Sequence, residues 1–231
     1  MRAMDGAQET YWRTYYADVH RGDAAWLDYS NERVQAQTFA LALEAAGPVA
    51  ERPCLDAGCG RGHFARALLA LGASRVTAVD IAEATITALR RDVPAVDWRA
   101  GSAADAAVYD GVEPCALVFT IEVLQYVPLE ATLRLLWERV APRGRLVGVV
   151  PNRDCPIVAK AIAKFDTHYD PPTGSRLAAA LDSLPGRAWW ALRGMSFQAD
   201  QRVAPYAASE PSTRTDWNPP PNRFLLVAER T

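Results

Sequence analysis

The sequence predicts an α/β protein built around a mostly parallel sheet, and three observations carry the prediction. From residue 52 to residue 152, short apolar runs alternate with helical segments. Two of the runs, "CALVF" and "LVGVV", are apolar throughout. The first run opens into "DAGCGRG", with glycines at 58, 60 and 62. Strand–helix alternation favours right-handed crossovers, which need a parallel sheet. Strands covered by helices on both faces lose the polar–apolar alternation of half-exposed strands. A strand that runs through glycines into a helix builds a ligand site at the carboxyl end of such a sheet.

Taken in order, residues 7–20 read as an amphipathic helix with Tyr11, Trp12, Tyr15 and Tyr16 on one broad face, ended by Gly22. "NERVQAQTFALALEAAG" reads as a second helix, with Asn31 as N-cap and Gly47-Pro48 as its stop. Strands are then expected at 53–57, 75–80, 95–100, 115–121 and 145–151, with helices at 62–71, 82–92, 103–109 and 129–141 between them. Further helices are expected at 156–166 and 174–183, a sixth strand at 187–198 and a seventh at 223–230. Residues 199–222, with Pro205, Pro211 and "PPP" at 219–221, lack a pattern and read as a functional loop or a mobile one. Adjacent Trp189 and Trp190 on a strand must point to opposite faces, one to the core and the other to a pocket or interface.

The bulk properties narrow the function. A chain of 231 residues suits a single domain, 1–231. The net charge of −2, without a Lys- or Arg-rich run, leaves no nucleic-acid footprint. The longest apolar run stops at Glu122, far short of a membrane span. "MRAMDGAQET" has no signal-peptide core. The cysteines, at 54, 59, 115 and 155, lack the paired spacing of a zinc site and read as buried reduced thiols of a cytoplasmic protein; no metal is expected.

The glycine loop separates two ligand classes. A dinucleotide site wants G-x-G-x-x-G, with pyrophosphate on the helix N-terminus. Here the spacing differs, and Asp56 at the strand end would repel a pyrophosphate. The same carboxylate suits a ligand carrying an ammonium and a sulfonium but no phosphate, as S-adenosylmethionine (SAM) does. A dinucleotide oxidoreductase remains the competing reading.

"LDAGCGRG" resembles the first motif of the class I SAM-dependent methyltransferases, and the rest of the core keeps that family's order. "VTAVDIA" resembles the second motif, in which an acid binds the ribose hydroxyls, here Asp80. "RAGSAAD" resembles the segment beside the adenine, with Ser102 and Ala103; the family often has an aspartate near 102. "LVFTIEVLQYV" resembles the segment after the fourth strand, often E-V-L-E-H-V in a large subgroup related to ubiquinone biosynthesis, and "VAPRGRLVGVVPN" the one after the fifth. The N-terminal "YWRTYY" is similar to an aromatic lid that folds over SAM. The resemblance implies a Rossmann-like seven-stranded sheet of order 3-2-1-4-5-7-6, strand 7 antiparallel, with helices on both faces. It implies a lid over 1–47, a SAM-binding core over 52–152 and a substrate-side half over 153–231. The donor set it implies is Tyr16, Asp56, Gly58, Cys59, Gly60, Asp80, Ile81, Ser102, Ala103, Thr120 and Ile121.

Such a family member transfers a methyl group (EC 2.1.1 class) and releases S-adenosylhomocysteine (SAH). The expected acceptor is an apolar or aromatic small molecule, methylated on O or N in a biosynthetic pathway by a monomer or homodimer. The alternatives are C-methylation or a SAM-binding protein with another activity, such as a cyclase. The acceptor set is Tyr11, Trp12, Glu122, Gln125, Asn152, Tyr169 and Trp190. A base is needed only if the nucleophile arrives protonated. His20, His168 and Tyr126 are the candidates, and His63 reads as the start of a helix. Gln125 and Tyr126 replace the Glu and His of E-V-L-E-H-V, which weakens a metal or histidine-base mechanism there.

Overall fold

A computed structural model describes residues 32–165, 169–196, 207–208 and 210–231. The expected aromatic helix at 7–20, with Tyr11, Trp12, Tyr16 and His20, lies outside the described residues, as does His168.

Helix α1 (Glu32–Ala46) precedes a run of strands and helices: β1 (Pro53–Ala57), α2 (His63–Ala70), β2 (Arg75–Asp80), α3 (Glu83–Asp92), β3 (Asp97–Ala100), β4 (Cys115–Ile121), α4 (Leu129–Glu138) and β5 (Val140–Pro151). Then follow α5 (Pro156–Phe165), α6 (Gly174–Asp182), β6 (Arg187–Ser196), β7 (Ala207–Ala208) and β8 (Arg223–Arg230). One sheet of order β3-β2-β1-β4-β5-β8-β6-β7 joins the eight strands of the described residues. β1 to β5 pair in parallel, and β8 runs antiparallel to both β5 and β6. The expected order 3-2-1-4-5-7-6 is therefore present, with β8 in the seventh strand's place and two-residue β7 added at the edge.

The uninterrupted apolar strands are explained by a core layer on each face. Leu117, Phe119, Val147 and Val149 pack with Ala42 and Ala46 of α1, Phe64 and Leu68 of α2, and Ile86 of α3. Val118, Leu146 and Val150 pack with Leu133, Leu136 and Trp137 of α4 and with Leu177 and Leu181 of α6. The rings of Phe39, Phe64 and Phe119 form a ladder at 4.8 and 4.9 Å. Each such buried aromatic or leucine contributes about 1.5–3 kcal/mol of transfer free energy. α1, in the segment expected to form a lid, thus lies on the sheet face. Its last carbonyls accept from Arg145 Nη1 on β5, at 3.2 Å from Ala45 and 3.5 Å from Ala46. That Arg145 also pairs with Glu229 at 2.9 Å and lies 5.7 Å from the Trp189 ring centroid.

Three expectations are corrected. β5 begins at Val140, not 145: Cys115 pairs with Val140, and a register shift before Leu117 absorbs the "APRG" that interrupts the apolar pattern. Residues 103–109 form one tight turn over Ala106–Tyr109 instead of a longer helix. Ser102 Oγ accepts from the Ala104 amide at 3.1 Å and Asp105 Oδ1 from the Ala107 amide at 3.0 Å, short-range bonds that compete with helix formation. Residues 199–222 are not wholly without structure. β7 pairs with β6, Ser212 bridges Leu192, and Trp217 lies 5.2 Å from Phe224.

Candidate active site

The parallel strands end together at one edge, and the antiparallel β8 begins there, with Arg223 opposite Pro151. β1 delivers Asp56, β2 delivers Asp80, and both are buried. The loop between β1 and α2 is held to β2 by the amides of Gly58 and Cys59, which both donate to the Val79 carbonyl at 2.8 and 2.9 Å. Gly58 has φ +88°, and a β-carbon there would overlap Val123. Gly62 has φ +74°, and a β-carbon there would meet the Trp98 ring at 2.6 Å. Only glycine satisfies both the left-handed backbone and the space.

Asp80 ties the loop to its own strand end. Its Oδ2 accepts from the Gly60 amide at 2.8 Å and its Oδ1 from the Ala82 amide at 3.0 Å. A carboxylate has about four acceptor positions, so both oxygens retain capacity for ligand hydroxyls. Asp56 differs: its Oδ2 is buried and has no hydrogen-bond partner. Burial, and then the charge of Asp80, push the Asp56 carboxyl up to about 7. Burial also raises Asp80, against the opposing amides of Ala82, Gly60 and Ile81. Two buried carboxylates, one with an unused oxygen, make an electronegative hole suited to a cation beside hydroxyl groups. Cys59 is buried in it, and its thiol is pushed upward by burial and by both aspartates, so it is not a thiolate nucleophile.

Ile81 is half-buried after β2, as are Gly101 and Ser102 after β3, with Ala103 buried. The Ala103 carbonyl accepts from the Tyr109 hydroxyl at 2.9 Å. Thr120 and Ile121 close β4; Thr120 is fully buried, and its Oγ1 has no hydrogen-bond partner. His63 begins α2 and is exposed.

On the far side of the β4 end lies a second group. Arg223 donates from Nε to Glu122 Oε1, and Gln125 Nε2 donates to Glu122 Oε2 at 3.3 Å. Tyr126 and Tyr169 have ring centroids 5.6 Å apart. The next residue, Asp170, donates its amide to the Gln125 carbonyl at 2.8 Å. Burial first, and then the Glu122 charge, raise the Tyr169 hydroxyl, so it is a hydrogen-bonding group and not a phenolate. The structure thus brings Glu122, Gln125, Tyr126 and Tyr169 together. Asn152 is adjacent but structurally engaged: Nδ2 donates to the Pro221 carbonyl at 2.9 Å, and Oδ1 accepts from the Asp154 amide at 3.0 Å.

The expectation for Trp190 is corrected. It pairs with Ala228, five residues along β8 from Arg223, or about 16 Å at about 3.3 Å per residue. It packs in the α4/α6 core, and its indole N–H donates to Asp182 at 2.9 Å. Trp189 points the other way and is exposed beside Arg145, as strand alternation requires. Arg223 was the residue that local sequence reading missed. Only its position at the start of the last strand hinted at it.

Among the described residues, no group of three His, Cys, Asp or Glu is arranged to hold a metal, and no helix is long and apolar enough to cross a membrane.

Residues 54–144 match the family model of the methyltransferase domain. The chain as a whole has the fold of SAM-dependent methyltransferases of known structure. It resembles a SAM-dependent methyltransferase from Thermotoga maritima, described as a possible histamine N-methyltransferase, with TM-score 0.69 and 12% identity over 95% of this chain and 100% of that one. It also resembles magnesium protoporphyrin IX methyltransferase from Synechocystis, solved with bound SAH, with TM-score 0.64 and 17% identity over 96% and 98% of the two chains. A third is 1,6-didemethyltoxoflavin-N1-methyltransferase from Burkholderia thailandensis, with TM-score 0.63 and 17% identity over 100% and 92%. No curated protein sequence matches the chain significantly.

Proposed function

We propose that this protein transfers the methyl group of SAM to an O or N atom of a small-molecule acceptor in a biosynthetic pathway. The observation that carries the reading is the Asp56–Asp80 pair, with its partnerless Asp56 oxygen, inside the stretch similar to the methyltransferase-domain model. SAM, when bound, supplies an electrophilic methyl on its sulfonium. Asp56 accepts from the donor's ammonium group, and Asp80 from its ribose hydroxyls. The backbone of Gly58, Cys59 and Gly60 allows close approach, and Ile81, Ser102, Ala103, Thr120 and Ile121 border the remainder.

The work left to the protein is alignment and exclusion of water. We assign the acceptor to the Glu122, Gln125, Tyr126 and Tyr169 group, across the β4 end from the aspartates. Its aromatic rings and its hydrogen-bonding groups suit a small ring compound with polar substituents. Tyr11, Trp12 and Tyr16 are proposed to cover the pair of ligands, and His20 and His168 are the candidate bases for a protonated nucleophile. The similarity to N-methyltransferases and to a porphyrin methyltransferase supports a small-molecule acceptor.

Isothermal titration tests the reading. SAH is expected to bind and NAD is not. NAD binding without SAH binding would refute it. Transfer of label from methyl-labelled SAM to amine and phenol acceptors then distinguishes N from O.

A further inference from the structure

The turn after β4 contains a residue in an unusual conformation. Glu122 has φ +59°, the left-handed region that residues with a β-carbon rarely adopt. Three bonds hold it. Its amide donates to the Val149 carbonyl at 2.8 Å, which extends the β4–β5 ladder by one step. Its Oε1 accepts from Arg223 on β8, and its Oε2 accepts from Gln125 at 3.3 Å. The side chains of this ion pair are only 9% and 22% exposed, so little water competes with it.

The left-handed step redirects the chain so that Val123 faces the donor loop. The Tyr126 amide donates to the Val123 carbonyl at 2.9 Å and fixes the following turn. The Val123 side chain fills the space that a β-carbon on Gly58 would need. On its other side Gly58 is tied to the Val79 carbonyl at 2.8 Å. Gly58 is therefore gripped between β2 and Val123, and the loop that carries Cys59 and Gly60 starts from that grip.

We infer that Arg223 and Glu122 are positioning residues for the methyl donor: their ion pair aims Val123 at Gly58, and Val123 sets the loop that binds SAM. This rests on the reading of the loop as the donor site. It gives the acceptor-side pair a task beyond contact with the acceptor. It also joins the final strand of the sheet to a loop that begins at the first.

A mutant cycle with SAH alone, in the absence of acceptor, tests it. Arg223→Ala and Val123→Ala are each expected to weaken SAH binding about tenfold, in the range of couplings carried by residues that do not touch the ligand. Because both act through one contact, the double variant is expected to bind no worse than about either single one. Arg223→Lys keeps a cation and is expected to restore most of the affinity. Thermal unfolding of the ligand-free variants separates this from general loosening, since a structural role lowers Tm without moving the Kd of the folded protein. Should Arg223→Ala not fold, Glu122→Gln replaces it in the same cycle. Wild-type SAH affinity in Arg223→Ala, or a double variant whose loss is the product of the two single losses, overturns the inference. Failure of the wild-type protein to bind SAH overturns the donor-site reading itself.

Discussion

Replacing Asp56 by asparagine isolates the charge that distinguishes this glycine loop from a phosphate loop. The carboxyl is 2% exposed, and burial with Asp80 nearby raises it from 3.8 to about 7. That rise corresponds to about 4 kcal/mol against ionisation in the ligand-free protein. The sign follows from linkage. The folded value lies above the unfolded one, so Asp56 favours folding fully below pH 3.8, and this contribution is lost as pH rises through about 7. A cationic ligand reverses the preference by binding the ionised form. At pH 7 about half of the free protein is ionised at Asp56, and at pH 6 about one molecule in eleven, so SAH affinity is expected to fall about fivefold between them. The ligand's own amino group stays protonated across that window, since such groups titrate near about 7.7–8.0. Titration calorimetry in two buffers of different ionisation enthalpy is expected to show proton release near pH 6.5. Asp56→Asn is expected to abolish the pH dependence, weaken SAH binding about ten- to a hundredfold, and raise the Tm of the ligand-free protein at pH 8. Affinity equal at pH 6 and pH 7, together with an asparagine variant that binds like wild type, would refute the assignment of a cation to this oxygen.

Other substitutions separate the parts of the site. Asp80→Ala removes the acceptor for the Gly60 and Ala82 amides and for the proposed ribose contact, and is expected to cost about 1–3 kcal/mol of SAH affinity by titration. Gly58→Ala forces a β-carbon into Val123 at φ +88°; a loss of about 1–3 kcal/mol in stability and of SAH binding is expected, and adding Val123→Ala relieves the overlap but not the backbone cost. Trp190→Phe deletes the bond to Asp182 and is expected to lower stability by about 1 kcal/mol in urea unfolding while leaving kcat/KM unchanged, because the residue is remote from the strand ends. Arg145→Ala loses Glu229, the Trp189 ring and the α1 carbonyls together; about 1–2 kcal/mol of stability is expected to go, with SAH affinity retained.

The proposed donor side was legible because its signals are local. Strands 53–57, 75–80, 115–121 and 223–230 begin and end where their apolar runs do. Asp56 and the glycines are contiguous, and Asp80 is marked by the end of its strand. The proposed acceptor side was not, because its contacts join distant positions. Glu122 and Arg223 are 101 residues apart, and neither is remarkable in its own neighbourhood. Val123 reads as one more apolar residue until Gly58 is seen beneath it. Trp190 was misplaced because an aromatic residue in an apolar strand carries no local sign of how far along the sheet it lies. Residues 103–109 were misread as a longer helix because Ser102 and Asp105 divert the backbone, an effect that apolar periodicity does not register.

The placement of β8 has a consequence for synthesis. β5 and β6 do not pair with each other; their facing edges are joined by β8, the strand that the chain makes after both. Until residues 223–230 leave the ribosome, the sheet is split between two open apolar edges. Such edges invite pairing with other chains. β1 to β5 are complete long before, so the Asp56–Asp80 side can order first while the Glu122 group waits for Arg223. A nascent chain stalled before residue 223 is thus expected to need shielding that the finished protein does not.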